Sequence, residues 1–176
     1  IGIGDDGNLV YTLGDEPLPH FERLLPPAIR DAPEHSIFEW RADIAAMDLG
    51  RRVANSKGAA LVIDYGHTQS GVGETLQAVG QHSYADPLTA PGDLDLTAHV
   101  DFQSVLRAAE AMGTTGFGPI DQSQFLRRLG IETRAATLKA KATRAMTAEI
   151  DAALARLIGH GRTGMGELFK VATLTH

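Results

Sequence analysis

Two short stretches of the sequence carry residue types that can act on a cationic or protonated group. The first is Asp64-Tyr65-Gly66-His67, directly after the apolar run Gly58-Ala59-Ala60-Leu61-Val62-Ile63. A run of that length reads as a buried strand, and in open α/β sheets ligands bind in the crevice beyond the carboxyl ends of the strands. A carboxylate at Asp64 can hold a cationic substrate there, and Tyr65 can stack on it or hydrogen-bond to it. The competing reading is structural: Asp64 caps neighbouring backbone N–H groups, Tyr65 packs, and His67 is a loop residue. The second stretch is His99-Val100-Asp101-Phe102. Residues two apart in an extended segment share a face, so His99 and Asp101 can work as a general-base pair. Asp101 also stands where the next helix needs an N-cap, a role worth about 1 kcal/mol that accounts for an aspartate by itself.

Other chemistries find little to stand on. The chain has no cysteine, which excludes disulfides, thiolate metal sites and a cysteine nucleophile. His67, His82 and His99 lie far apart with no H-E-x-x-H among them, so no metal site is expected. Neither Gly2-Ile3-Gly4 nor Gly71-Val72-Gly73 follows a buried strand and opens a helix, the context a phosphate-cradling loop requires. No G-x-S-x-G occurs to make a hydrolase nucleophile elbow.

The elements that must position these residues follow from apolar spacing and punctuation. Asp6-Gly7 is a tight-turn pair between a strand at Ile1 and Ile3 and a second over Asn8 to Leu13. Pro17, Pro19, Pro26, Pro27 and Pro33 then rule out one long helix. A helix is expected from about Ala42 to Asn55, with Ile44, Met47 and Val53 on its apolar side and Gly58 beyond its end. Ala59 to Asp64 lacks polar alternation, which predicts a strand covered on both faces, and helix followed by buried strand is the grammar of a parallel α/β sheet. Glu74 to Val79 is extended, and Gly80 to His99 reads as a long loop around Pro87 and Pro91-Gly92.

Asp101 caps a helix in which Phe102, Val105, Leu106, Ala109 and Met112 recur at helical spacing before Gly113. Asp121 is expected to cap a helix that ends at Gly130, and Thr147 one that ends at Gly159, with a helical Glu132–Thr143 between them. Arg127, Arg128, Arg134, Lys139, Lys141 and Arg144 make this helical insertion, about residues 121–160, basic; that is a solvated face or a docking surface for an acidic partner. Leu168 to Leu174 reads as the last strand.

A chain of 176 residues is long enough for one domain with its own core. Its net charge of −6 argues against non-specific attraction to a nucleic-acid backbone and leaves a basic protein partner open. No apolar run approaches the roughly 18–20 residues that span a bilayer, and the first residues lack the basic start of a signal peptide. The chain begins with Ile rather than Met, as a cut or a processed protein would. The absence of cysteine fits a reducing compartment.

Several stretches, in this order, resemble the MidA family, which includes the mitochondrial methyltransferases needed for respiratory complex I assembly. They are Ala59–His67, Thr75-Leu76-Gln77-Ala78, Asp86-Pro87-Leu88, Pro91-Gly92, Asp95–Phe102, Gly118-Pro119 with Gln122, Phe125-Leu126 with Leu129-Gly130-Ile131, and Gly164–Val171. The wording is closest to the bacterial branch, which implies a cytoplasmic location. The resemblance implies an α/β fold, the C-terminal part of a Rossmann-like class I methyltransferase sheet with a helical insertion before an antiparallel last strand. It implies S-adenosyl-L-methionine as cofactor and a protein substrate. That substrate would be methylated on arginine, the acceptor of the mitochondrial members, with a respiratory complex I subunit as its candidate. Asp64 and Asp101, with Tyr65 and His99 beside them, are then the residues expected to orient a guanidinium acceptor.

The departures bear on function. The family's glycine-rich E-x-G-x-G-x-G cofactor loop and the acidic strand end that follows it are absent, and Glu74 and Asp121 replace the usual Asp and Thr. The chain is therefore expected to be the C-terminal half of one methyltransferase domain, without the cofactor-binding half and inactive alone. The alternative is a non-catalytic protein-interaction fragment; an unrelated hydrolase or reductase has no motif in its favour.

Overall fold

The computed structural model describes residues 1–14, 25–39, 43–81, 83–161 and 163–176. Pro17, Pro19, Ala42 and His82, which enter the sequence reading, lie outside the described residues. In chain order the elements are β1 (Gly2–Ile3), β2 (Leu9–Val10), α1 (Pro27–Arg30), α2 (Asp43–Ser56), β3 (Ala59–His67), β4 (Gln77–Gly80), β5 (Ser83–Ala85) and β6 (Asp95–Thr97). They continue with β7 (Val100–Asp101), α3 (Phe102–Glu110), β8 (Thr115–Asp121), α4 (Gln122–Arg128), α5 (Ile131–Lys139), α6 (Arg144–Ile158) and β9 (Phe169–Thr175). The chain divides into two compact units, Ile1–Trp40 with Ser70–His99 and Arg41–Gln69 with Val100–His176. No helix among the described residues is long and apolar enough to cross a membrane.

The first unit holds two small sheets. β1 and β2 pair antiparallel, with Gly2 opposite Val10 and Ile3 opposite Leu9, around a turn in which Gly7 takes a φ of 80°. α1 opens on Pro27, whose missing N–H costs nothing in a first helical turn. β4 is flanked by β5 and β6 in a three-stranded antiparallel sheet. Residues 80–99 are therefore not the structureless loop that their Pro and Gly punctuation suggests. Each added strand has only three residues, and Ser83–Ala85 is exposed throughout, so neither periodicity nor apolarity signals it.

The second unit is a four-stranded sheet of order β7-β3-β9-β8. β9 runs antiparallel to both neighbours, from Ala59 opposite Thr175 to Tyr65 opposite Phe169 on one side and from Thr115 opposite Thr175 on the other. β7 adds parallel to the tip of β3. The sheet is mixed because the strand that pairs with most of β3 is the antiparallel last one. An irregularity in β8 falls between Phe117 and Ile120, where the Gly118–Pro119 peptide is cis.

α2 and α3 cover one face. Ala46, Gly50 and Val53 lie four and three apart and form the buried side of α2, as the 3.6-residue period requires. Val53 packs with Ala109 and Leu174, and Ala46 with Val105 and Ala108. At Gly50 a Cβ would lie 2.6 Å from the carbonyl oxygen of Ala109, so the close crossing of α2 and α3 admits no side chain there.

The opposite face corrects the expectation of a strand covered on both sides. Leu61 and Ile63, which alternate with the covered Ala60 and Val62, are 52% and 45% exposed. Phe117, across the sheet from Leu61 through Thr173, is 57% exposed.

Three helices lie between β8 and β9, and two expected caps change hands. Asp101 does cap α3, accepting the Ser104 N–H at 3.1 Å. Asp121 makes no side-chain cap to α4, because its carboxylate is taken by Lys170 at 2.8 Å. α6 starts earlier than Thr147 predicts. Thr143 accepts the Met146 N–H at 3.3 Å, and the Thr147 hydroxyl instead donates to the Thr143 carbonyl inside the helix. Arg144-Ala145-Met146 are good helix formers, so the helix extends back to the first threonine that can cap it.

Candidate functional site

β3 runs through to His67, and its last two residues pair in parallel with β7, Gly66 opposite Val100 and His67 opposite Asp101. His67 is thus a strand-tip residue rather than the loop residue of the sequence reading. The pairing depends on Gly66, because a Cβ there would lie 2.1 Å from the carbonyl oxygen of Val100. The carboxyl ends of two adjacent parallel strands are where α/β sheets bind ligands.

Asp101 is only 9% exposed and serves two neighbours. Its Oδ1 caps α3, and its Oδ2 lies 3.9 Å from Nε2 of His67, within ion-pair range when the imidazole is protonated. The His67 side chain is 37% exposed, so one edge of this carboxylate–imidazole pair faces solvent. Such a pair can accept a proton or hold a cation, with the helix cap fixing the carboxylate.

A second carboxylate stands behind the first. Asp43 opens α2 with its Oδ2 3.8 Å from Nη2 of Arg107, and that same nitrogen donates to the Ser104 hydroxyl at 2.9 Å. The other oxygen, Oδ1, is buried with no hydrogen-bond partner among the described residues. Burial pushes the Asp43 carboxyl above the ordinary 3.8. Arg107 opposes this, the charge of Asp101 adds to it, and the Ser104 hydroxyl opposes it. Nothing in the sequence flags Asp43, since an acidic residue in a first helical turn is ordinary for dipole reasons.

The sign of the resulting pH dependence follows from linkage. With a raised pKa, the folded chain holds the Asp43 proton more tightly than the unfolded one. That contribution is complete below the unfolded value near 3.8 and is lost as pH rises through the folded value. Asp43→Asn is expected to be more stable than the parent at pH 7, by about 1 kcal/mol or about 2–4 °C in Tm. The difference is expected to shrink as pH falls toward 4. Melting curves of both proteins between pH 4 and 7 test this, and a gain that grows on acidification would contradict it.

Asp64 behaves first as the structural reading has it, with Oδ1 accepting the N–H of Tyr65 at 2.8 Å. Register places it opposite Lys170 of β9, which is opposite Asp121 of β8, so acid, base and acid form a row across three strands. Lys170 donates to Asp121 at 2.8 Å and to the Glu167 carbonyl, and its side chain is largely buried. Lys170 is a residue the sequence reading missed. The only signal for it is a lysine inside an otherwise uncharged strand. Tyr65 meets Phe169 edge to face, with ring centroids 5.6 Å apart at 81°.

His99 lies in the first unit and Asp101 in the second. The His99 backbone N–H donates to the Thr75 hydroxyl at 3.1 Å. Thr75 in turn donates to the Glu39 carboxylate, which also accepts the Leu76 N–H at 3.0 Å. Glu39, unmarked in the sequence, therefore anchors the segment leading into β4.

Among the described residues no group of three or more His, Asp or Glu side chains is placed to hold a metal ion. The strand-to-helix junctions among the described residues, Asp101-Phe102 and Asp121-Gln122, carry no glycine of the kind that lets a backbone approach an S-adenosyl cofactor.

A family model described as "Putative S-adenosyl-L-methionine-dependent methyltransferase" matches residues 2–120. Protein arginine methyltransferase NDUFAF7, mitochondrial, of Rattus norvegicus is 41% identical over 101 residues, covering 57% of this chain and 23% of its own. The Drosophila melanogaster homologue of that protein is 37% identical over 134 residues, covering 76% of this chain and 30% of its own. A solved structure from Burkholderia thailandensis, of a COG1565 superfamily protein, superimposes with a TM-score of 0.80 at 29% identity, over 99% of this chain and 47% of the other. A second from the same organism, bound to S-adenosyl-homocysteine, gives a TM-score of 0.76 at 29% identity over 99% and 46%. The chain thus spans under a third of these curated relatives and a little under half of the solved chains.

Proposed function

This chain belongs to the MidA family of S-adenosyl-L-methionine-dependent methyltransferases, and we propose that it forms the acceptor side of a protein methyltransferase whose cofactor side lies in a preceding half of the same domain. The observation that carries this reading is the state of β3. Its outer edge is paired only at Gly66 and His67, leaving Ala59–Tyr65 without a strand partner there among the described residues. Its Leu61 and Ile63 are about half exposed on the uncovered face. An apolar strand of this kind is a poor edge, and further parallel strands with their helices would complete it.

The acceptor we propose is an arginine side chain of a protein, in keeping with the names of the curated relatives. A respiratory complex I subunit, methylated in a bacterial cytoplasm, is the finer form of the same proposal. Asp64 and Asp101 orient the guanidinium through their carboxylates, and Tyr65 offers a ring to stack on it. His67, held beside Asp101, is placed to receive the proton that a guanidinium must shed to become nucleophilic. Orientation of this kind is a large part of what such an enzyme has to supply.

Calorimetric titration of S-adenosyl-homocysteine tests the division of labour. The 176-residue chain is expected to bind at least 100-fold more weakly, about 2.7 kcal/mol, than a chain extended upstream through the glycine-rich loop. Comparable affinity in the short chain would move the cofactor site into these residues. No binding by either chain would favour a non-catalytic interaction fragment.

A further inference from the structure

The three helices between β8 and β9 carry a feature that the proposed reaction does not use. α5 and α6 leave between them an open cavity of about 160 Å³. Ile131, Arg134 and Leu138 line it from α5, and Ile150, Leu154 and Leu157 from α6. The α5 residues lie three and four apart and the α6 residues four and three, so each helix turns one continuous face to the groove. Leu138 and Leu157 stay 42% and 37% exposed at its margins. A lined apolar cavity of about 150 Å³ holds a benzene-sized group, so this one accepts a single leucine or aromatic side chain.

Charge selects the occupant. Residues 122–158 contain seven Lys or Arg against three Asp or Glu, a net of +4 on a chain whose total is −6. Arg127 is paired with Glu132 and Lys139 with Asp151. Among the described residues Arg134 is the one charged side chain lining the groove, and it makes no ion pair to any of them. A guanidinium at the rim of an apolar slot is complementary to a carboxylate one turn away from an apolar anchor. Two helical walls suit a third helix laid between them. The walls are apolar and carry no aromatic side chain on which a base could stack, which disfavours nucleic acid.

We infer that the α5–α6 groove docks an amphipathic helical segment of a partner protein, one apolar side chain filling the cavity and an acidic residue pairing with Arg134. This holds whether or not the chain takes part in methyl transfer.

The test uses the 176-residue chain and two fluorescein-labelled synthetic helical peptides. Both carry leucines at i, i+4 and i+7, one with flanking glutamates and the other with lysines in their place. Fluorescence anisotropy is expected to show saturable, micromolar binding of the glutamate peptide and at least ten-fold weaker binding of the lysine peptide. Arg134→Glu, at an exposed position where folding is not at risk, is expected to weaken the glutamate peptide at least ten-fold. Leu138→Glu is expected to do the same, and if that variant misfolds, Arg134→Glu decides alone. Equal binding of the two peptides, indifference to Arg134→Glu, or no binding of either would overturn the inference. A dimer in sedimentation velocity that Arg134→Glu dissociates would overturn it in favour of a second copy. Phosphatidylglycerol vesicles that bind in an Arg134-dependent way, with neither peptide binding, would overturn it in favour of a membrane surface.

Discussion

Asp101→Ala is expected to cost both stability and, in the upstream-extended enzyme, nearly all methyl transfer, while Asp101→Asn is expected to cost only the second. Alanine removes the side-chain oxygen that accepts the Ser104 N–H, and loss of an N-cap costs about 1 kcal/mol, or about 2–4 °C in Tm for a chain of this size. Asparagine caps a helix as well as aspartate does, so Asp101→Asn should melt with the parent. It carries no charge, however, and cannot orient a guanidinium or support a protonated His67 3.9 Å away. Removing one member of such a proton-transfer pair slows a reaction by about 10²-fold or more. If Asp101→Asn is as active as the parent, Asp101 is a helix cap and nothing else. If both variants lose stability equally, the cap itself has been misjudged.

Gly66→Ala is expected to be the most damaging single-methyl change at the site. The new Cβ would sit 2.1 Å from the Val100 carbonyl oxygen, 2.9 Å from its carbon and 3.0 Å from its nitrogen. All three are backbone atoms, so no side chain can swing aside, and β7 has to leave the tip of β3. Overpacking a tight site costs about 1–3 kcal/mol, and a rigid obstacle belongs at the upper end, about 5–10 °C in Tm. The same shift carries Asp101 away from His67, so activity should fall together with stability. Gly71→Ala is the control, because a Cβ at Gly71 meets nothing within 4 Å. Melting temperatures within 1 °C for both variants would mean that β7 is not seated on β3 as described.

The sequence made the framework of this tip legible and left its contacts obscure. The run Ala59–Ile63 announces β3 through its apolarity, and Asp101 announces α3 because a cap must precede the apolar period that begins at Phe102. Beyond these, the relevant information is long-range. His67 could not be told from a loop residue, because what holds it in the strand is a two-residue partner thirty-odd positions later. Asp121 looked like a cap by local rules, yet Lys170 outcompetes the helix for it from across a strand pair. Asp43 carries no local mark at all; burial raises its pKa and the charge of Asp101 adds to that, against Arg107 and Ser104, and only the packing of α2 on α3 brings these groups near. The alternate exposure of Leu61 and Ile63 was hidden by the very apolarity that identified the strand, since a continuous run does not say which face finds cover.

The place of β9 in the sheet also governs the order in which this unit can assemble. β3 and β8 do not pair with each other; β9 lies between them, with Leu61, Thr173 and Phe117 in one row. Closing the β3–β9 pairing spans roughly a hundred residues, the sort of distant contact that slows folding. During synthesis the tip of β3, its β7 partner and helix α3 emerge well before Phe169–Thr175. For that interval Leu61, Ile63 and Phe117 belong to strands with open hydrogen-bonding edges, the condition in which nascent chains associate wrongly or recruit chaperones. A unit built this way forms the tip that carries Asp101 and His67 early and locks it into a sheet late.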